Sequence, residues 1–435
     1  MIVAFVVVDI EPAIPAKIAM HNTHERTVPT IIASKVAKNT FKNFIVYRIK
    51  NNIPTTNMYI FSLYLHYKKL KFMKKFFILI LLFVALFVGE KSFACTSAIV
   101  AAAHSKEGAA LLWKHRDAPS WDCHIEHFRD GKYAFTALVS PDKQKVYSGI
   151  NERGFAILNT VSENITKNTS ICQAPGALFV MARALREFAT VGEFEKWLAT
   201  TNGSRSYVTN FAVGDASGEA AYFEVSQEGF KRFDIADRSE GFDIRSNFSF
   251  SGNMVERGPS VPRYDIVVRQ MSRKQKHSPY DFFDYGRNYV NGSGVDVIAS
   301  PEKFVCNDLT VPRYFSVASM VMVCDGTNPR MLVAVGHPVV AAVVPVYVKA
   351  ANALPECVAG RVSLLLSEEF RAKAYTKLDE LKYEVNKPLI KTLLKRKSRV
   401  VMPRSMPADI AEFNAKADTL FAKHAAQVRR VLARY

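Results

Sequence analysis

Short stretches rich in apolar residues recur from residue 95 to residue 336, and this pattern predicts short β-strands. Turns that contain Gly or Asp separate several of the stretches, which favours antiparallel pairing between neighbours. The strands predicted in this way are 96–103, 109–115, 133–140, 145–150, 155–162, 207–214, 220–227, 315–323 and 331–336. The first two are joined by the turn 105–108 and form a predicted hairpin.

Apolar residues recur three or four positions apart in other stretches, as they do on the buried face of a helix. These stretches are 177–188, 193–200, 278–289, 367–383 and 408–432. In the last of them the residues near one face are Phe413, Leu420, Phe421, Val428 and Val431. Strands that come early and helices that gather at the end predict an α+β chain with a helical C-terminal region.

The segment 73–94 has the three parts of a secretory signal peptide. Two lysines follow Met73, an apolar run of 13 residues spans 76–88, and small residues stand three and one positions before Cys95. The apolar run is shorter than the roughly 18 to 20 residues that span a bilayer, which disfavours a permanent membrane anchor. We therefore expect cleavage between Ala94 and Cys95, with export to the periplasm or the medium.

Residues 1–72 precede that signal peptide and are rich in Asn, Lys and Tyr. An exported protein has no use for such a stretch ahead of its signal peptide. We therefore expect translation to start at Met73, and residues 1–72 to be an upstream extension without a fold. A peptide from 1–72 detected in the cellular proteome would contradict this hypothesis.

Composition is typical of a globular protein, because 49% of the 435 residues are hydrophobic and 23% are charged. The net charge of +18 suggests a nucleic-acid or membrane partner at first, but residues 1–94 carry half of the surplus. Much of the remainder falls in helical-looking stretches such as 387–404, which lack interleaved aromatic residues. We interpret it as a solvated basic face and expect no nucleic-acid partner.

A cysteine that processing makes N-terminal brings two useful groups to one residue. Its thiol is a nucleophile, and its α-amine, with an ordinary pKa of about 7.7 to 8.0, can take the thiol proton. A carboxylate is then needed to hold the amine, and donors such as Asn and Arg are needed to bind the oxyanion of the tetrahedral intermediate. The chain after Cys95 supplies candidates for both.

Seven short motifs follow in order from that cysteine. They are Cys95-Thr96-Ser97, Leu111 to Asp117, Gly149 to Asn159, Gly214 to Gly218 with Phe223-Glu224, Ile244 to Asn247, Pro262-Arg263-Tyr264, and Gly336-His337-Pro338 with Val344-Pro345-Val346. The ordered series resembles the N-terminal-nucleophile linear-amide hydrolases, which include choloylglycine (bile salt) hydrolase, penicillin V acylase, acid-ceramidase-like enzymes and penicillin acyl-CoA acyltransferases. The resemblance covers residues 95 to 348.

The resemblance implies a role for each matched residue. Cys95 would be the nucleophile, and Asp117 would orient its α-amine. Asn159 and Asn247 would bind the oxyanion. Arg263 would steady the site electrostatically, and its interval of sixteen residues from Asn247 is closer to the acid-ceramidase and acyltransferase branch than to the bile salt hydrolases.

One position departs from the pattern of the bile salt hydrolases, which place an Arg three residues before the Asp, against the cysteine. Here that position is Lys114, and the nearest guanidinium belongs to Arg116. Residues 114 and 116 share one face of a strand, and 117 lies on the other face unless a bulge intervenes. Either cation is a candidate to meet the thiol, with a small preference for Lys114.

Histidines and further cysteines suggest other chemistry. His115, His124 and His127 point to a zinc site or a Cys-His hydrolase, but their spacing with Cys123 lacks the paired pattern of a structural zinc site. If Cys95 stays free, five cysteines remain, so at least one more is unpaired. We therefore expect neither a metal nor a cofactor.

The resemblance implies a four-layer αββα sandwich at 95–350, on which the helical region 351–435 packs. It also implies hydrolysis of a linear amide through an acyl-enzyme on Cys95, with a small N-acyl amide as the substrate. Three alternatives stay open: an acyltransferase on the same scaffold, a non-catalytic lipoprotein or binding protein with Cys95 lipidated, and a dipeptidase-like peptidase. The acyl group and the oligomeric state are not predicted.

Overall fold

The computed structural model of the chain describes residues 95–167, 176–301, 304–306, 310–350, 353–378, 382–395, 399–400 and 408–435. The predictions for the extension 1–72 and the signal peptide 73–94 lie outside these residues, as does Cys172. In the part of the chain that is described, no helix is both long enough and apolar enough to cross a membrane.

Two seven-stranded sheets form the centre of the molecule. The first contains, in spatial order, β10 (Phe242–Arg245), β1 (Thr96–Val100), β2 (Leu111–Asp117), β12 (Ser316–Val323), β13 (Arg330–Val335), β14 (Ala342–Tyr347) and β17 (Arg399–Val400). Only the pairing of β14 with β17 is parallel among the described strands. Because β1 has a neighbour on each side, the strand that follows Cys95 is fixed along both edges.

The second sheet is an antiparallel meander in chain order. Its strands are β3 (His124–Phe128), β4 (Phe135–Val139), β5 (Val146–Asn151), β6 (Ala156–Val161), β7 (Thr209–Gly214), β8 (Ala220–Val225) and β9 (Phe230–Asp234). Gly154 and Gly218 have positive φ, of 81° and 91°, in the tight turns that join β5 to β6 and β7 to β8. Only glycine adopts this conformation without strain, so both turns depend on it.

Eight helices and a three-stranded sheet complete the described structure. The helices are α1 (Ala177–Glu187), α2 (Val191–Ala199), α3 (Val261–Met271), α4 (Asp281–Tyr285), α5 (Glu356–Ala359), α6 (Val362–Ala374), α7 (Lys387–Leu394) and α8 (Ile410–Leu432). The small sheet has the order β11 (Phe304–Cys306), β16 (Lys382–Val385), β15 (Tyr375–Lys377).

Alternate residues of a strand point to opposite faces of its sheet, and the buried clusters on these faces define the layers. Leu112 of the first sheet and Tyr222 of the second belong to one buried cluster, which therefore lies between the sheets. Phe211 on the outer face of the second sheet packs with α1 and α2. Trp113 on the outer face of the first sheet packs with α3 and α4. The order helix, sheet, sheet, helix confirms the predicted αββα sandwich.

The C-terminal helices extend the core between the sheets. Phe413, Phe421 and Val428 of α8 are buried in the same cluster as Leu112. His424 of that helix is hydrogen-bonded through Nε2 to the carbonyl oxygen of Val340, at 2.7 Å. The predicted helix 408–432 is therefore present, and the apolar stripe read from the sequence is its buried face.

All nine predicted strands are present: six are shorter than predicted, and β2, β5 and β13 keep the predicted length but are shifted by one or two residues. Two predicted helices differ from their predictions. The stretch 278–289 forms only the five-residue helix α4, which ends at Gly286. A Cβ there would lie 2.9 Å from the ring of His115, so the close approach needs glycine. The stretch 367–383 is helical only to 374, because the buried Tyr375 and Tyr383 enter the β15–β16 hairpin instead.

Candidate functional site

Cys95 stands directly before β1 and is buried. In the pairing of β1 with β2, Ser97 lies opposite Lys114, and the same register continued by two residues places Cys95 opposite Arg116. Opposite residues of an antiparallel pair share a face. Ser97 shows which face this is, because its hydroxyl is hydrogen-bonded to that of Tyr222 in the second sheet, at 2.9 Å. Cys95, Lys114 and Arg116 therefore face the space between the sheets.

A buried arginine ties the nucleophile's backbone to one of the predicted oxyanion residues. Arg263, near the start of α3, donates from Nη1 to the carbonyl oxygen of Cys95 at 2.9 Å and to Thr96 Oγ1 at 3.1 Å. Its Nη2 donates to Asn247 Oδ1 at 3.0 Å. One guanidinium thus sets the position of Cys95 relative to Asn247.

A buried lysine ties the same region to the other predicted oxyanion residue. Lys114 Nζ donates to Asn159 Oδ1 at 2.9 Å and to the carbonyl oxygen of Tyr147 at 2.8 Å. Burial lowers the pKa of the Lys114 ammonium from 10.5 to about 8, while the nearby Cys95 thiol acts in the opposite direction and Arg116 lowers it further. Lys114 is therefore the candidate cation that is hydrogen-bonded to Asn159.

Asn159 lies on β6, so its bond to Lys114 crosses from one sheet to the other. Its Nδ2 donates to Thr209 Oγ1 at 3.2 Å, and Thr209 in turn donates to the carbonyl oxygen of Thr160 at 2.9 Å. These contacts fix which end of the amide faces Lys114. An amide nitrogen has two hydrogens, so the second N–H of Asn159 is available to a ligand.

The loop that carries Asn247 is anchored by a buried ion pair. Glu224 on β8 accepts from Arg245 Nε at 2.6 Å, from the backbone N–H of Phe250 at 2.9 Å and from that of Ser251 at 2.6 Å. Both members of the Glu224–Arg245 pair are fully buried. The carboxylate therefore holds the chain on both sides of Asn247.

Replacement of Glu224 by Gln should lower the free energy of unfolding by about 1–3 kcal/mol, because the charge-assisted bond to Arg245 is lost while Asp243 still pairs with its guanidinium. Urea denaturation of the two proteins measures the difference. Glu228→Gln on the same hairpin is the matched control, since Glu228 is exposed and its loss should change stability by less than about 0.5 kcal/mol. Equal stability of E224Q and wild type would show that the pair does not anchor the loop.

The lowered pKa of Lys114 predicts a pH-dependent stability difference. Between pH 8 and 10.5 the unfolded chain keeps a proton on this lysine that the folded chain has released, so stability rises with pH across that window. A shift of this size corresponds to about 3 kcal/mol. The wild-type free energy of unfolding minus that of Lys114→Met should therefore increase by about 3 kcal/mol between pH 7.5 and 10.5. Denaturant titrations at several pH values test this, and exposed Lys423→Met should give a flat difference.

Asp117 is on the other face of β2, against the helical layer. Its Oδ2 accepts from Arg313 Nη2 at 2.7 Å and Nε at 3.1 Å, and its Oδ1 accepts from Ser316 Oγ at 2.6 Å. The register irregularity at this end lies in the pairing with β12, between Ser316 and Ala318. The contacts of Asp117 are thus with Arg313 and Ser316, and the amine-orienting role stays a prediction.

Arg116 shares the face of Lys114 but has a different environment. Its guanidinium carbon lies 3.7 Å from the ring centre of Tyr147. The two candidate cations therefore flank Cys95 differently: Lys114 is hydrogen-bonded into the site, and Arg116 rests on an aromatic ring.

His115 belongs to the outer face with Asp117. Its Nε2 is hydrogen-bonded to Ser316 Oγ at 2.9 Å, and burial lowers its pKa to about 4, so the ring is neutral near pH 7. No group of three His, Cys, Asp or Glu side chains within the described ranges could hold a metal ion. Four cysteines of these ranges are free thiols: Cys95, Cys123, Cys324 and Cys357.

Sequence reasoning missed Arg313, the partner of Asp117. Its tetrapeptide Val-Pro-Arg-Tyr at 311–314 repeats the one at 261–264, and the two arginines, Arg263 and Arg313, are both buried. The repeated tetrapeptide was a signal that could have identified it. The carbonyl of Tyr147 and the hydroxyl of Thr209 carry no such signal, because backbone groups and single threonines form no motif.

No model of a protein family matches the chain, and no curated protein does. Solved structures do match. Penicillin V acylase from Agrobacterium tumefaciens has a TM-score of 0.40 and 14% identity, over 59% of this chain and 86% of that chain. The N-acylethanolamine-hydrolyzing acid amidase ortholog of Caenorhabditis elegans has a TM-score of 0.37 and 15% identity, over 53% and 93%.

A mutant of the conjugated bile acid hydrolase from Clostridium perfringens has a TM-score of 0.36 and 11% identity, over 59% of this chain and 93% of that chain. Of the residues that the motifs single out, Arg263 is hydrogen-bonded to Cys95 and Asn247, and Lys114 is hydrogen-bonded to Asn159.

Proposed function

We propose that the chain is an exported cysteine amidase that cleaves a linear amide, with Cys95 as its N-terminal nucleophile. The observation that carries the proposal is a pair of hydrogen-bonded contacts beside Cys95. Arg263 joins the carbonyl oxygen of Cys95 to Asn247, and Lys114, which faces the same space as Cys95, is bonded to Asn159.

Acylation begins when cleavage after Ala94 frees the α-amine of Cys95. The amine takes the proton of the thiol, and Sγ attacks the carbonyl carbon of the substrate amide. The negative charge moves to the carbonyl oxygen, where the side-chain N–H groups of Asn159 and Asn247 donate hydrogen bonds. Their positions are held by Lys114 and Arg263, so the donors need no rearrangement as the charge develops.

The tetrahedral intermediate then collapses. Its carbon–nitrogen bond breaks, the leaving amine takes the proton from the α-ammonium group, and the acyl group remains on Sγ as a thioester. Water attacks this thioester, giving up a proton to the α-amine, and the carboxylic acid leaves as the thiol is restored. The same amine acts first as base and then as acid in each half of the cycle.

Asp117 has a positioning role in this proposal. Its ion pair with Arg313 and its bond from Ser316 secure the end of β2, the strand on which Lys114 stands. These contacts support a positioning role through the strand rather than contact with the substrate.

The experiment that tests the proposal determines the first residue of the exported protein and the state of its α-amine. The chain from Met73 onward is expressed in an exporting bacterial host, and the exported protein is analysed by N-terminal sequencing and intact mass. We expect a polypeptide that begins at Cys95 with a free amine, and that gains the mass of one acyl group when quenched during turnover of an N-acyl substrate. A different first residue, retention in the cytoplasm, or a lipid on Cys95 would overturn the proposal.

A further inference from the structure

A cavity of about 110 Å³ is lined by the C-terminal half of helix α3 and by the segment 288–294. A single water molecule needs roughly 10–15 Å³ of cavity volume, so this cavity accommodates a ligand of several non-hydrogen atoms. The polar side chains that line it are those of Arg269, Gln270, Arg273, Asn288 and Asn291. None of them belongs to the proposed active site.

Gln270 is the buried polar group of this cavity. The residue is 7% exposed, and neither its amide oxygen nor its amide nitrogen has a hydrogen-bond partner in the described part of the chain. A buried polar group without partners costs free energy, so such a group calls for an explanation. A ligand that satisfies this amide must bring both an acceptor for Nε2 and a donor for Oε1.

Two arginines stand at the opening of the cavity. Arg269 and Arg273 are exposed, and no Asp or Glu is among the described residues that line the cavity. Arg269 donates from Nη2 to the carbonyl oxygen of Gly292. Gly294 has a positive φ of 85°, and a Cβ there would lie 3.2 Å from Arg269 Nη1. Glycine at this position therefore leaves space beside the guanidinium group.

The two asparagines turn their amide nitrogens to a ligand. Asn291 Oδ1 accepts from the backbone N–H groups of Ser293 and Val295, each at 3.0 Å. Asn288 Oδ1 accepts from the backbone N–H of Val290 at 2.9 Å. Because these turns occupy both oxygens, the nitrogens are the ends that remain for a ligand. The polar wall is thus cationic and consists mainly of donors.

The arginines alone have a simpler explanation, since cations near the end of a helix complement its dipole. That function gives no partner to the buried amide of Gln270. The dipole also does not exclude an anion here. The end of a helix carries a partial charge of about −0.5, and the two full positive charges of Arg269 and Arg273 outweigh it.

We propose that this cavity binds inorganic phosphate. The charged oxygens of the ion accept from the arginine and amide N–H groups, and its hydroxyl donates to Gln270 Oε1. An ammonium group would be a poor donor here, because it would lie beside two cations. A phosphate ester, with a second pKa of about 6, has largely lost its hydroxyl at pH 7.5, so the free ion is the better match.

The site is separate from the reaction at Cys95. Gln270 follows Arg263 by seven residues, which is about 10 Å along α3. The inference therefore goes beyond the proposed function and does not depend on it.

The test measures anion binding to the purified protein by isothermal titration calorimetry at pH 7.5 and constant ionic strength. We expect one inorganic phosphate per chain, with a dissociation constant of about 1 mM or lower. Sulfate has the same shape but no hydroxyl at this pH, so it sets an oxygen against Gln270 Oε1. It should bind at least about 10-fold more weakly.

Two substitutions separate selectivity from charge. Gln270→Met removes the amide from a side chain of similar length, and it should weaken phosphate binding about 10-fold and abolish the preference over sulfate. Arg273→Met should weaken the binding of both anions by similar factors, because it removes charge alone. The matched control is Lys276→Met, since Lys276 is an exposed cation nearby that does not line the cavity. It should leave both affinities unchanged.

Absence of saturable phosphate binding, or equal affinity for phosphate and sulfate in wild type, would overturn the inference. Phosphate binding that Gln270→Met leaves unchanged would overturn it as well. If that variant does not fold, Gln270→Glu takes its place, and its added carboxylate oxygen should abolish phosphate binding by repulsion. None of these results affects hydrolysis by Cys95, so a failure here is distinguishable from a failure of the proposed function.

Discussion

Replacement of Cys95 by Ala should abolish hydrolysis of an N-acyl amide, with a fall in kcat on the order of 10⁴-fold or more. The reason is that both the attacking sulfur and the α-amine belong to this residue, which lies opposite Arg116 in the β1–β2 register. The fold should persist, because the exchange removes one sulfur atom from the residue that precedes a strand paired on both sides. Steady-state kinetics and circular dichroism measure the two quantities.

The matched control for that substitution is Cys324→Ala, which removes another buried, free thiol. Cys324 lies in the core between the sheets and has no contact with Lys114 or Asn159 among its described contacts. The control should keep most of the activity. Turnover that survives in C95A, or that disappears in C324A with the fold intact, would contradict the assignment of the nucleophile.

Replacement of Asn159 by Ala should lower kcat about 10²- to 10³-fold with a smaller change in KM, because an oxyanion donor acts mainly in the transition state. The loss also frees the ammonium of Lys114 from its side-chain acceptor. Kinetics on an N-acyl substrate at saturating concentration gives kcat directly.

Asn151→Ala separates catalysis from stability. Asn151 lies on the neighbouring strand β5, and its amide nitrogen donates to the carbonyl oxygens of Leu185 and Phe188 at 3.0 and 2.7 Å. Its loss should lower the free energy of unfolding by about 1–3 kcal/mol and leave kcat near the wild-type value. If the two variants lose kcat to the same extent, Asn159 has no oxyanion role.

Sequence periodicity predicted the elements whose buried faces are apolar and failed where the buried face is polar. Strands β1 and β2 lie in stretches rich in apolar residues, and α8 has an apolar stripe, so all three were predicted. Helix α3 was not, because its buried positions include Arg263 and Gln270. The polar, buried Arg263 thus interrupts the apolar stripe that would have predicted its own helix.

The strand period placed Lys114 and Arg116 on one face and Asp117 on the other, but it did not choose between the two cations. A pattern along the chain carries no information on how the two sheets stack. Lys114 reaches Asn159 only because the two sheets stack, and no spacing along the chain encodes that distance. The pairing of Asp117 with Arg313, 196 residues later, is hidden for the same reason.

The bond between Lys114 and Asn159 has a consequence for protein engineering. Because each side chain is the other's partner across the sandwich, the effect of changing one depends on what stands at the other, and single-site substitutions there will not combine additively. A mutant library meant to widen the range of accepted amides should therefore randomise positions 114 and 159 jointly. Scanning them one at a time would discard pairs that work only together.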